Sequence, residues 1–208
     1  MGRVAARTST SINQSTEDFM STDYTVHDAK SAPEQSQGIM EKVEAKFGFL
    51  PNIIGVMSES PAALEGYVTL QGIFDKTDFS PAERQLILLS VSYENECHFC
   101  VAAHSKNGKK AGLDADVVAA VRDGTPIQDA KLEALRHFAQ TVTVERGALD
   151  PQALEDFIAA GYSKAQALDV LLGIAVKTIT NYTDAIADVP LNEQLADEKW
   201  DPESKKAA

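Results

Sequence analysis

The sequence predicts an all-α fold, and three observations carry that reading. Capping residues followed by proline recur along the chain, and glycines fall where helices should end. No segment of five or more residues alternates apolar and polar side chains as a half-buried strand does.

The elements follow in order. Helices are read at 38–47 and 51–58. Ser60-Pro61 opens a helix over 61–76, because proline's missing N–H would have no partner at the first helical position. Ser80-Pro81 opens 81–94, where Glu83 completes a capping box by reaching back to the cap. Asn95 is the expected cap of a helix over 96–110. A helix at 115–122 stops at Gly124, and one at 129–145 stops at Gly147. Asp150-Pro151 opens 151–160, closed by Gly161, and Ser163-x-x-Gln166 opens the long 164–186. This last helix carries Leu168, Leu171, Leu172, Ile174, Ala175, Val176 and Ile179, which cover more than one face. Such a helix is buried by more than one neighbour, so a homo-oligomer is expected.

The chain has 208 residues, 19 Lys+Arg against 31 Asp+Glu, and a net charge of −12. That length suits one domain with tails. Residues 1–36 hold many Ser and Thr and few large apolar groups, so they read as a disordered tail. Residues 37–191 form the helical domain, and 192–208 a polar C-terminal tail with Trp200 as its one anchor. The acidity argues against tracking a phosphate backbone, so no nucleic-acid partner is expected. No apolar run reaches the ~20 residues of a membrane helix. The N-terminus lacks the apolar block of a secretory signal, although Arg3 and Arg7 weakly imitate a transit peptide.

The only cysteines are Cys97 and Cys100. One close pair is not a disulfide framework; it points to redox or metal chemistry in a reducing, cytoplasmic setting. With Cys97 in the first turn of its helix, Cys97, Cys100 and His104 share a stripe about 60° wide, and His98 points away. Helix-terminal N–H groups favour an anion at Cys97, and His104 can exchange a proton with Cys100. The spacing lets an oxidised sulfur on one be captured by the other.

Other readings stand beside this one. The cysteines could be structural, or zinc ligands with His98, although structural zinc takes four ligands and no second pair exists. Glu83 reads as a capping residue. Glu94 and Glu96 flank the helix junction, where carboxylates favour the dipole. His98 and His137 read as surface or packing residues, and His27 carries no signal.

Glu94-Asn95-x-Cys97-x-x-Cys100-x-x-Ala103-His104 resembles the signature of the carboxymuconolactone decarboxylase superfamily, in its alkylhydroperoxidase D-like, peroxidase-related branch. Gly48-Phe49-Leu50-Pro51-Asn52, Ser60-Pro61, and Asn181-Tyr182 before Pro190-Leu191 agree, so the resemblance spans about 38–195. It implies an AhpD-like helical bundle assembling as trimers or hexamers, without cofactor or metal. It implies reduction of a small hydroperoxide in which Cys100 attacks, Cys97 closes a disulfide, His104 relays the proton and an external dithiol resets the pair. The helix argument instead favours Cys97 as the more acidic thiol, so the order of roles stays open.

Two positions depart from the family. Its relay glutamate is Gln85 here, which leaves Glu94 as the expected substitute. A histidine usual before the second cysteine is Phe99. Lactone decarboxylation or isomerisation, and a non-catalytic or redox-sensing scaffold, are the alternative functions.

Overall fold

The computed structural model describes residues 23–207, and among them the chain is helical throughout, with no strand. In order the helices are α1 Glu34–Phe47, α2 Asn52–Met57, α3 Pro61–Phe74, α4 Pro81–Glu94 and α5 His98–Lys110. There follow α6 Ala115–Arg122, α7 Ala130–Val144, α8 Pro151–Ala159 and α9 Lys164–Ala187. Two 3₁₀ turns, Glu193–Glu198 and Pro202–Ala207, end the described chain.

The caps predicted at Ser60, Ser80, Asp150 and Ser163 form. Ser60 and Asp150 accept from backbone N–H groups ahead of their prolines' turns, and both capping boxes, Ser80/Glu83 and Ser163/Gln166, are complete. Each satisfies N–H groups that a helix start otherwise leaves without partners.

Helix α4 is the axis of the molecule. Every residue from Leu86 to Tyr93 is buried, and α5, α7 and α9 pack around it. At the crossing with α9, a Cβ on Gly173 would sit 2.9 Å from Ile87 and 3.0 Å from Phe74. The absent side chain is what lets the two helices approach. A larger apolar cluster gathers α4, α6, α7, α8 and α9. A smaller one joins α1, α2 and α3 to the start of α5, and it contains Cys97, Phe99 and Cys100.

Described residues that the sequence reading places in the two tails pack against the helices. Residues 1–22, with Arg3 and Arg7, lie outside the described residues. Within the expected tail over 1–36, however, Ala32 and Ser36 are buried, and Ser36 Oγ donates to the Ser58 carbonyl at 2.8 Å. The segment at Val26 and His27 crosses α2 at Gly55, where a Cβ would meet the His27 carbonyl at 2.6 Å. His27 Nε2 also pairs with Glu59 at 2.7 Å.

The polar stretch over 192–208 is likewise strapped down. Trp200 donates to the Arg122 carbonyl at 3.2 Å and its ring lies 5.7 Å from that of Tyr93. Lys106–Asp197, Lys109–Glu198 and Lys205–Glu94 pairs at 2.9, 2.7 and 2.9 Å fix the same segment. The charges that read as a solvated tail are half of a set of ion pairs whose other half lies on the helices.

On α9, Leu168, Leu171, Tyr182 and Ile186 are exposed. No described helix is long and apolar enough to cross a membrane.

Candidate active site

The turn between α4 and α5 places the thiols. Helix α4 ends with Glu96 N–H donating to the Tyr93 carbonyl and Cys97 N–H to the Ser92 carbonyl, both at 3.1 Å. This is the paired closure of a Schellman motif, whose left-handed position normally takes glycine. Here Glu96 occupies it at φ 54°. Asn95 therefore closes α4 rather than capping α5, and Cys97 is itself the cap: its sulfur accepts from Cys100 N–H at 3.2 Å. The sequence expectation of Cys97 in the first turn is displaced by about one residue.

Cys97 and Cys100 are free thiols, 2% and 3% exposed. Their surroundings differ. Cys100 borders a cavity of about 740 Å³ together with Gln85, His104, Tyr67, Phe99 and Lys177. Cys97 does not border it.

Lys177, 2% exposed on α9, is the cationic neighbour of Cys100. Its Nζ lies 3.0 Å from His104 Nε2, and His104 Nδ1 lies 2.9 Å from Gln85 Oε1. An ammonium has only protons to give, so Nε2 accepts from Lys177 and Nδ1–H donates to Gln85. His104 is thereby fixed as a neutral imidazole. Burial, and then the Lys177 charge, hold its pKa well below the ordinary histidine value.

The same ammonium has the opposite consequence for sulfur. Burial resists ionisation of Cys100, yet the Cys97 thiol donating to it and the nearby Lys177 bring its pKa down to about 6. Burial pushes Cys97 well above the ordinary thiol value, and its donation to Cys100 holds the proton there. Burial also raises the Tyr67 hydroxyl, and a negative Cys100 adds to that effect.

A second polar group lies toward Cys97. Asp184, 4% exposed and two turns beyond Lys177 on α9, holds His98 Nδ1 at 3.2 Å through Oδ2. That bond raises His98 above the ordinary histidine value. The other oxygen of Asp184 is buried without a hydrogen-bond partner among the described residues. Between Lys177 and Asp184, Asn181 accepts from Asn95 at 2.9 Å and donates to Ser92 at 3.4 Å. Thus α9 presents a buried polar stripe to the thiol turn.

The structure brings Cys97, Cys100 and His104 together, and does not bring Glu94 to them. The Glu94 carboxylate is held by Lys205 at 2.9 Å and does not border the cavity. Its helix has turned it toward the C-terminal strap. Gln85, the departure from the expected glutamate, is the residue that touches His104. Glu83 caps α4 and also accepts from the Tyr162 hydroxyl at 3.0 Å. His137 is exposed. Lys177 and Asp184 were not anticipated; their signal is the polar spacing Lys177, Thr180, Asn181, Asp184 on a helix otherwise rich in apolar residues. Among the described residues, no three His, Cys, Asp or Glu side chains gather as metal ligands would.

Residues 61–141 match the carboxymuconolactone decarboxylase family, a span that contains Gln85, both cysteines and His104 but neither Lys177 nor Asp184. The fold is similar to an uncharacterized peroxidase-related protein from Ralstonia eutropha JMP134 whose structure is that of an alkylhydroperoxidase AhpD core. The two share 22% identity at a TM-score of 0.71, over 83% of this chain and 93% of that one. It is similar to a peroxidase-related protein from Silicibacter sp. TM1040 at 18% identity and TM-score 0.71, over 83% and 92%. It is also similar to a cysteine-to-alanine variant of the debrominase Bmp8 bound to 2,3,4-tribromopyrrole, at 20% identity and TM-score 0.71, over 86% and 96%. No curated protein matches the chain. At these identities the likeness is one of fold.

Proposed function

From the match of residues 61–141 to the carboxymuconolactone decarboxylase family, we propose that the chain belongs to that family and is a thiol-dependent reductase of small organic hydroperoxides. The observation that carries this reading is a thiol with a pKa of about 6, bordering a cavity beside a buried ammonium. Such a sulfur is largely thiolate at neutral pH, and the thiolate is the nucleophile.

In the proposed cycle the Cys100 thiolate attacks the outer peroxide oxygen, the O–O bond breaks, and an alkoxide leaves. Lys177, hydrogen-bonded to His104, supplies the proton that turns the alkoxide into an alcohol, and Cys100 is left as a sulfenic acid. The Cys97 thiol then bonds to the Cys100 sulfur; its proton and the sulfenic hydroxyl depart as water. An external dithiol exchanges with the disulfide, is itself oxidised, and restores both thiols. Gln85 orients the imidazole and cannot take up a proton, so Lys177 replaces the carboxylate end of the expected relay.

The test is peroxide consumption with a dithiol donor. Wild type should turn over and Cys100→Ser should not; equal rates would reject the reading. We also propose self-association through the exposed apolar face of α9, in a reducing compartment such as the cytoplasm. Light scattering of a monomer at micromolar concentration would remove the assembly.

A further inference from the structure

The cavity has a charge opposite to that of the chain that builds it. Its charged lining is Lys42, Lys46, Arg84, Lys106, Lys110 and Lys177 against Glu65 and Asp75. The whole chain carries 19 cations to 31 acids, so six to two is a marked reversal of sign. Three of those cations are engaged elsewhere. Lys46 pairs with Asp75 at 3.4 Å, Lys106 with Asp197 at 2.9 Å, and Arg84 holds the backbone carbonyls of Thr77 and Phe79. Lys42 on α1 and Lys110 at the end of α5 are exposed and have no partner among the described residues. Lys177 lies buried beside Cys100.

Between the exposed lysines and the buried thiol the walls are apolar, with Val43, Phe49, Tyr67, Val68 and Phe99 among them. A cavity of about 740 Å³ falls within the range that encloses a small organic ligand, typically ~300–1,000 Å³. Low-dielectric walls lined by one sign of charge raise the local concentration of the opposite sign.

We infer that the cavity selects an amphipathic anion, an apolar hydroperoxide bearing a carboxylate, with its acid near Lys42 and Lys110 and its peroxide at Cys100. This rests on the peroxide-reducing reading for the reacting end only. The acid end is read from charges that the thiol chemistry does not require. An apolar chain alone would enter such a cavity with no preference among charge states.

The experiment has two arms. In the first, kcat/KM is compared for a long-chain fatty-acid hydroperoxide and its methyl ester, in low and high salt. In the second, decanoate and decanol are titrated into Cys100→Ser protein, which reports binding without turnover. The acid should be preferred roughly three- to tenfold over the neutral partner in each arm, as exposed ion pairs allow. The preference should shrink as salt rises and fall to near parity in a Lys42→Glu/Lys110→Glu double variant. Equal handling of acid and ester, or an acid preference that survives the double reversal, would overturn the inference while leaving thiol catalysis standing. Charge-dependent decanoate binding without oxidation of Cys100 by any hydroperoxide would uphold anion selection and sink the peroxidase reading instead.

Discussion

Cys97 and Cys100 lie one helical turn apart, yet their environments push them in opposite directions. Cys100 borders the cavity and is held down by the Cys97 thiol's bond and by Lys177; Cys97 does not border it, and burial and the neighbouring Cys100 sulfur outweigh the Lys177 charge that also reaches it. Lys177 and Asp184 both come from α9, seven residues apart, and both are buried. The helix-terminus argument alone would have made Cys97 the thiolate, since it caps α5. It caps α5 with its sulfur accepting an N–H from Cys100, but burial and the neighbouring sulfur outweigh that bond. What distinguishes the two thiols is therefore in part tertiary: beyond the bond between the sulfurs, α9 delivers a cation that hydrogen-bonds Cys100 and reaches Cys97 only through its charge.

The comparison breaks most sharply at the sulfurs themselves. Cys100→Ser should remove peroxide turnover by at least about 10³-fold, as loss of a nucleophile does. Cys97→Ser should leave one stoichiometric reaction, in which a sulfenic acid accumulates and reacts with dimedone. If both variants lose the first oxidation equally, the assignment of roles is wrong.

Lys177→Met tests the cause of the difference. Without the ammonium, only the hydrogen bond from the Cys97 thiol opposes burial at Cys100, and its ionisation moves up from about 6 toward the ordinary thiol range. Alkylation of Cys100 at pH 7 should then slow by about ten- to a hundredfold. Stability should be little changed at neutral pH or slightly raised, because the sulfur can reprotonate and an apolar side chain replaces a buried charge. In wild type the thiolate's pKa lies below its unfolded value near ~8.5, so its contribution to stability is complete above that pH. It is lost as pH falls through about 6. The variant should lack that slope, as denaturant midpoints across this range would show.

These contrasts also show what the sequence could reveal. Ser60, Ser80, Asp150 and Ser163 act locally, within three residues of the groups they cap, and all four were legible. The start of α5 was not, because Asn95 satisfies the usual cap preference and nothing marks Glu96 for a left-handed turn at φ 54°. The C-terminal strap was misread for a different reason. Asp197, Glu198 and Lys205 look like a solvated run until their partners on α4, α5 and α6 are known. Lys177 was hidden by the apolar run that precedes it. Its spacing with Thr180, Asn181 and Asp184 was visible, but which helix that stripe would face was not.

Asp184→Asn probes the Cys97 side and should act more weakly. Removing the carboxylate charge lowers the pKa of Cys97, so in a Cys100→Ser background its alkylation at pH 8 should quicken a few-fold. His98 loses the bond that raises it. Its stabilising effect in wild type is present below the ordinary histidine value near ~6.5 and is lost as pH rises through its higher folded value. The stability gap between wild type and variant should therefore narrow from pH 6 to 8; a constant gap would mean that Asp184 does not hold the proton on His98.

Gln85→Glu is the smallest change and the finest test of the Cys100 side. A carboxylate in place of the amide still accepts from His104 Nδ1, now at the 2.9 Å separation with a full charge behind it. It stabilises an imidazolium, so the His104 pKa climbs from well below the ordinary value toward it. The added negative charge also offsets part of the Lys177 field, so the thiolate of Cys100 becomes slightly less favoured. The expected outcome is a shift of the acidic limb of kcat/KM to higher pH, with a change of only about two- to fivefold at pH 7. In the double variant Gln85→Glu/Lys177→Met the carboxylate–imidazole pair would be the remaining relay, and it should recover part of the activity that Lys177→Met loses. Strict additivity of the two changes would show instead that amide and ammonium act on Cys100 independently, and that His104 does not connect them.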